Sequence, residues 1–222
     1  MQIDQIIRSK RGTIALIVDR EGKLIVRAPL RATQKQILDL IRLKEEWIKS
    51  KQKLVNTTYA LVKPKKYTNG EEFLYLGNYY RLEIIPEADH PIRLSDQFYL
   101  SRAQLPQAEQ VFKSWYTAHA KRVISERVQW YAAKYRFKVN GIRITKAQTR
   151  WGSCSPNGNL NFSWRLVMTP MQVIDYVVVH ELVHLHEKNH SRRFWERVKI
   201  ILPDYRKQVQ WLKTYGYSLR IT

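Results

Sequence analysis

Two hydrophobic periods alternate along the chain, one of about two residues and one near 3.6, and they lay out its elements in order. Ile14-Ala15-Leu16-Ile17-Val18 and Leu24-Ile25-Val26 are runs rich in β-branched residues, separated by the turn-like Asp19-Arg20-Glu21-Gly22. They predict a hairpin within residues 3–30. Thr33 is placed to cap a helix running to about Leu54. Ile37, Leu40, Ile41, Trp47 and Ile48 fall at helical spacing there, and Lys44 is the one polar break. Residues 56–70 read as an irregular connection. Phe73–Leu76 and Tyr79–Ile84 flank Gly77-Asn78 and predict a second hairpin, and Ile92–Leu94 with Phe98–Leu100 predict a further short pair. The aromatic residues of these strands are expected in a core rather than stacked on bases.

Pro106 opens a long helical segment to about Phe137, with Val111, Phe112, Trp115, Ala118, Ile124, Val128, Tyr131 and Tyr135 near one stripe. His119 lies on or beside that stripe and reads as a satisfied core or boundary histidine rather than a ligand. Ile142–Ile144 forms a strand. From Leu160 to Leu166 apolar and polar residues alternate, which predicts a second strand paired with the first. Thr169-Pro170-Met171-Gln172 carries the signature of a helix start, with Thr169 as cap and Gln172 closing a capping box. The helix that follows is apolar nearly all round, so it is expected to be buried. A last helix spans Tyr205 to Tyr215 and stops at Gly216.

The chemistry sits in that buried helix, in His180-Glu181-Leu182-Val183-His184, an HExxH motif. At ~3.6 residues per turn, positions i and i+4 share a face, so both imidazoles can address one metal ion. Glu181, beside the first histidine, is placed to serve as a general base without being a ligand. Two histidines and a glutamate on a buried helix need partners, and a metal satisfies all three. His190 is the preferred third ligand. A continuing helix would carry it ~9 Å from His184 at ~1.5 Å per residue, so the helix must end near Glu187–Asn189. Asn189 tolerates the left-handed conformation that ends helices, and Ser191 can cap a new helix from Arg192 to Leu202. Glu196 is the rival third ligand, and His186 faces elsewhere.

Composition limits the rest. The 222 residues carry a net charge of +20; residues 1–105 hold 19 Lys and Arg against 12 Asp and Glu, and residues 106–222 hold 20 against 7. Such a balance draws polyanions, so nucleic acid or a nucleotide is an admissible partner. No apolar run has membrane-spanning length, the first residues lack a signal-peptide block, and one cysteine, Cys154, excludes an internal disulfide. No membrane partner and a cytoplasmic location are the expectation.

The segments RWGSCS, GNLNFSWRLVMTP, VIDYVVVHELVHLHEKNHSRRFW and LPDY resemble the YgjP-like zinc metallopeptidase-like family, related to the SprT-like, Spartan and WLM proteases. The resemblance is close from about Ile142 to Leu212 and looser before. It implies one zinc ion bound by His180, His184 and His190, with Glu181 as base. It also implies an α+β fold: a small β-rich N-terminal domain with one helix (1–105), then a zincin-like domain (106–222) whose HExxH helix packs on a small antiparallel sheet. Metzincins share the histidine spacing, but this chain has Glu187 at the place of their glycine. Ser163 departs from the asparagine that relatives more often carry before Trp164. Arg150, Trp151, Ser163 and Tyr205 are the candidates for substrate contact. The implied activity is peptide hydrolysis by metal-activated water. Two alternatives share the site: a metal-dependent nucleotide phosphohydrolase of pyrophosphatase type, and a DNA-associated protein with a structural zinc whose fourth ligand would be Cys154 or a carboxylate.

Overall fold

The structure, a computed structural model, describes residues 2–19, 22–61, 64–87, 89–219 and 221. It divides into two compact units, Met1–Lys63 and Pro64–Thr222.

In the first unit β1 (Gln5–Ser9) runs parallel to β3 (Leu24–Pro29), and β2 (Ala15–Val18) pairs with β3 antiparallel, as the hairpin reading expects. Leu24, Val26 and Ala28 point to one face and are fully buried. Against them lie Ile37, Ile41 and Ile48. Where one helix is expected from Thr33 to Leu54 there are two, α1 (Gln34–Leu43) and α2 (Glu45–Leu61). Thr33 caps α1 in a full capping box with Gln36. The break falls at Lys44, the polar interruption in the stripe. Its backbone closes α1, and Glu45 and Glu46 then occupy the first turn of α2, where helix-dipole electrostatics favour acids. The helix continues to Leu61, into the segment expected to be irregular; Asn56, Thr57 and Thr58 are weak helix formers but not breakers, and the first breaker is Pro64.

The second unit begins well before residue 106, the expected start of a domain. Its four-stranded sheet has the order β4 (Glu72–Tyr75), β5 (Asn78–Ile85), β7 (Phe98–Ser101), β6 (Ile92–Leu94). These strands share one core with α3 (Ala108–Tyr135), which is why no boundary falls at 105. Phe73 stacks on Phe112 with ring centroids 4.1 Å apart, and Phe98 packs edge-on against Trp115 at 4.8 Å. The strand aromatics are thus core. His119 stacks on Trp115 and has Nδ1 2.9 Å from the Trp115 carbonyl oxygen, a satisfied histidine at the boundary of the core.

The third sheet is mixed rather than antiparallel. Its central strand β10 (Asn159–Ser163) runs parallel to β8 (Gly141–Thr145) and antiparallel to β9 (Gly152–Cys154), an edge strand. β10 stops at Ser163, short of the expected Leu166, because alternation fails there. Trp164 to Met168 form a wholly buried 3-10 turn, with Leu166, Val167 and Met168 consecutive. That turn receives the β4–β5 hairpin tip: the backbone N–H of Leu76 donates to Val167 and that of Gly77 to Met168. Leu76 and Gly77 both have positive φ, the hairpin turn that favours glycine at its second position.

Pro170 caps α4 (Met171–Val183), and Thr169 turns its hydroxyl back to the Leu166 carbonyl. The expected capping box is therefore not formed. Helix α4 is buried on most sides, and Asp175 accepts two bonds from Arg127 of α3, at 2.6 and 3.0 Å. Helices α5 (Arg192–Ile201) and α6 (Tyr205–Tyr215) complete the unit, and Gly216 ends α6 as expected. Among the described residues the chain is thus a mixed α and β fold of three small sheets and six helices, none of the helices long and apolar enough to cross a membrane.

Candidate metal centre

His180 and Glu181 lie in the last turn of α4, and His184 caps its end. The helix ends at Val183, four residues before Glu187, where the expected break begins. The amides of Leu185 and His186 bond back to Leu182 and Val183, a 3-10 tightening that uses up the last carbonyls. Asn189 plays no part through a left-handed conformation: among the described non-glycine residues only Tyr67, Leu76 and Arg136 have positive φ. The reversal is instead held by Glu187. Its backbone carbonyl lies 2.9 Å from His184 Nδ1, and its carboxylate takes Arg193 at 2.9 Å and Arg197 at 3.2 Å, both on α5. Ser191 then caps α5 through the Phe194 amide, as its spacing predicts.

The turn brings three imidazoles together. His190 Nε2 is 3.0 Å from His180 Nε2 and 3.2 Å from His184 Nε2, and the three nitrogens lie within 4.8 Å of one another. Ligands held tetrahedrally at ~2.0–2.1 Å from zinc stand about 3.3 Å apart, so the spacing suits that ion. Proton placement agrees. The Nδ1 of His184 faces a carbonyl oxygen and must carry the hydrogen, which leaves the Nε2 lone pair directed at the other two rings. The residues present therefore fit a metal. Phe194, fully buried, lies against all three imidazoles at centroid distances of 4.6 to 4.9 Å. Trp195 stacks on His190 at 5.6 Å, Tyr205 on Trp195 at 5.4 Å, and Tyr176 on Tyr205 at 6.3 Å. The apolar surround and the neighbouring rings pull the His180 pKa down to about 3, burial being the larger cause, and burial likewise lowers that of His190.

Glu181 is 5% exposed and its side chain backs onto Gly152 of β9. A Cβ at Gly152 would lie 2.6 Å from Glu181 Oε1 and 2.7 Å from its Cγ, so only glycine lets the carboxylate settle there. Burial pushes the carboxyl pKa up to about 8, against the pull of the Arg150 charge.

The remaining candidates divide. Arg150 is exposed and its charge reaches Glu181. Trp151 packs under the Arg165 guanidinium, 4.8 Å from ring to carbon, and beside Gly216. Ser163 is buried and donates to the Ala147 carbonyl at 2.9 Å, so it ties down the loop before β9. Tyr205 enters through its ring, in the aromatic stack. Glu196 is exposed and bonded to Arg192 at 2.7 Å, and His186 meets Arg197 at 3.0 Å; neither joins the three histidines. Cys154 stays out of that group too, its thiol set toward the Ser155 carbonyl at 3.5 Å and its pKa raised by burial. Gly152, Phe194 and Tyr176 join the site with no role expected from the sequence, and Glu187, expected only as the place where the helix ends, holds the turn. Only Tyr176, four residues before His180, carried a spacing signal.

No curated protein matches the chain. A solved structure, the metallopeptidase zymogen of Pyrococcus abyssi, abylysin, is 16% identical over 42% of this chain and 95% of that one, with a TM-score of 0.38, a likeness too slight to carry an argument. The family model for the YgjP-like metallopeptidase domain matches residues 12–215, nearly the whole length over which the two units extend. A metallopeptidase family implies a metal and a peptide-cleaving hydrolase, and by that match the chain belongs to the YgjP-like family.

Proposed function

We propose that the protein is a zinc-dependent metallopeptidase in which His180, His184 and His190 hold one zinc ion and Glu181 is the general base. The observation that carries this reading is the convergence of three histidine nitrogens, with Glu181, next in the chain to His180, a buried carboxylate resting on Gly152. Three protein ligands leave a fourth position open, the mark of catalytic rather than structural zinc. Zinc held there supplies Lewis acidity, polarising a carbonyl and acidifying water near neutral pH.

The chain's own residues do the rest. The outer edge of β9 pairs with no strand among the described residues, so it can add an extended peptide by backbone hydrogen bonds. A peptide so placed runs past Gly152, and its scissile carbonyl comes under Glu181. Glu181 takes a proton from the attacking water as the new C–O bond forms. It then returns that proton to the leaving amine as the C–N bond breaks. A carboxyl whose pKa burial has raised exchanges protons more evenly with water near neutral pH than an exposed one. Glu187 fixes the His184 ring, and Phe194 and Trp195 pack against the imidazoles of His184 and His190.

The test is a peptide-library digest with zinc-loaded wild type and Glu181→Gln. The expected result is cleavage by the wild type and loss of at least a hundredfold in a variant that keeps its zinc. Hydrolysis of nucleoside triphosphates with no peptide cut would move the site to phosphoanhydride chemistry instead.

A further inference from the structure

Charge in the last part of the chain, which holds β9 and the three histidines, is one-sided. Residues 141–222 contain five acidic side chains: Asp175, Glu181, Glu187, Glu196 and Asp204. Four are already matched by bases: Asp175 with Arg127, Glu187 with Arg193 and Arg197, Glu196 with Arg192, and Asp204 with Lys207. The fifth is the buried Glu181. The same stretch holds thirteen Lys and Arg. Seven of them, Arg143, Lys146, Arg150, Lys188, Lys199, Arg206 and Lys213, are exposed and take part in no ion pair among the described residues, and of these Arg150 and Lys188 flank β9.

These two cations sit at opposite ends of β9. Arg150 lies two residues before Gly152, the residue against which Glu181 rests. Lys188 lies in the turn that delivers His190. That turn approaches the far end of the strand: a Cβ on Gly158, in the β9–β10 turn, would lie 3.6 Å from Leu185 Cδ2. From Arg150 to Cys154 an extended backbone covers roughly 13 Å at ~3.3 Å per residue. A peptide added along this edge therefore passes one unneutralised cation near the scissile bond and a second a few residues away.

We propose that the site selects extended peptides with acidic side chains on both flanks of the scissile bond, read by Arg150 and Lys188 at the two ends of β9. This rests on the peptidase reading above and adds the substrate class to it. A carboxylate opposite Arg150 gains a forked, charge-assisted partner, while a basic side chain there meets like-charge repulsion.

The experiment uses short fluorogenic peptides that differ only in their flanks, with Asp and Glu, Asn and Gln, or Lys around one cleavable bond. With zinc-loaded wild type, kcat/KM is expected to be roughly fivefold higher for each acidic residue than for its amide, with the lysine series lowest. The preference should shrink as salt is raised from ~0.05 to ~0.5 M. Arg150→Gln and Lys188→Gln should each remove one part of it, read within each variant as the ratio of kcat/KM for the acidic peptide to that for its amide. Equal rates for acidic and amide peptides, or a preference that survives in the double variant, would overturn the assignment while the peptidase reading stands. A second arm does not depend on turnover: fluorescence anisotropy of the same acidic and amide peptides with the Glu181→Gln protein. Tighter binding of the acidic peptide, lost in Arg150→Gln/Lys188→Gln/Glu181→Gln, supports the selectivity even if no peptide is cut. Equal binding overturns it.

Discussion

Gly152 and Glu181 are in direct contact, with the carboxylate of one occupying the space where a side chain of the other would begin. This ties the edge of the third sheet to the last turn of α4 and sets where the proposed base can stand. A methyl group at residue 152 must push Glu181 aside. Gly152→Ala is therefore expected to lower peptide hydrolysis by a hundredfold or more while the three histidines keep their metal, since a base displaced by about 1 Å is ineffective. Overpacking should cost ~1–3 kcal/mol of stability. Kinetics and metal content measured on the same preparation check this, and full activity in the variant would show that the contact is incidental.

Glu187 should matter to metal affinity although it is not a ligand. Its carbonyl sets the His184 ring and its carboxylate holds α5, the helix that follows His190. Glu187→Ala keeps the carbonyl but removes the ion pairs to Arg193 and Arg197 that hold the turn, and the expected loss of zinc affinity is about 10-fold, the lower end of the range for disturbing a ligand's supports. A competition titration against a chelator reads it directly. An unchanged affinity would mean that the backbone alone holds the turn.

The metal-free protein should show an unusual pH dependence from two neighbours in sequence. The Glu181 pKa is raised from 4.5 to about 8, so the native state holds a proton that the unfolded chain lacks between those values, and stability falls as pH rises toward 8. The His180 pKa is lowered from 6.5 to about 3, so the unfolded chain binds the extra proton in that window, and stability falls as pH drops through it. Between 4.5 and 6.5 the two slopes oppose each other. Urea unfolding of the metal-free wild type is thus expected to show a higher midpoint at pH 5.5 than at pH 8 relative to Glu181→Gln, which lacks the upper limb. Parallel curves for the two proteins would contradict the assignment.

Phe194 is the packing floor of the site. It is fully buried and touches all three imidazoles. Phe194→Ala should cost ~3–5 kcal/mol of stability. Phe194→Leu, milder in volume, should spare the fold but loosen the histidines, seen as weaker zinc binding with a smaller change in thermal midpoint. Equal zinc affinity in Phe194→Leu would show that the rings are held by their hydrogen bonds alone.

Much of the site can be read in the chain because its logic is local. The i,i+4 spacing places His180 and His184, and the Ser191 cap with the need for a break places His190. The means of ending the helix could not be read in the same way. It depends on Arg193 and Arg197 reaching back to Glu187, a contact made only after α5 has folded over the turn. The same holds for Gly152, whose need for glycine comes from a carboxylate 29 positions later in the chain. Register and strand direction were also hidden: a parallel β8–β10 pair and an antiparallel one carry the same alternation. The single expected helix in the first unit failed at Lys44, where a polar break in a stripe marked a true end.

The central claim is an open three-histidine metal site. X-ray absorption at the zinc edge of the zinc-loaded protein tests it most directly. The expected spectrum has nitrogen scatterers at ~2.0–2.1 Å with the multiple-scattering signature of three imidazoles, and one further light ligand. A sulfur shell at ~2.3 Å would bring Cys154 into the coordination sphere, close the site and contradict the account.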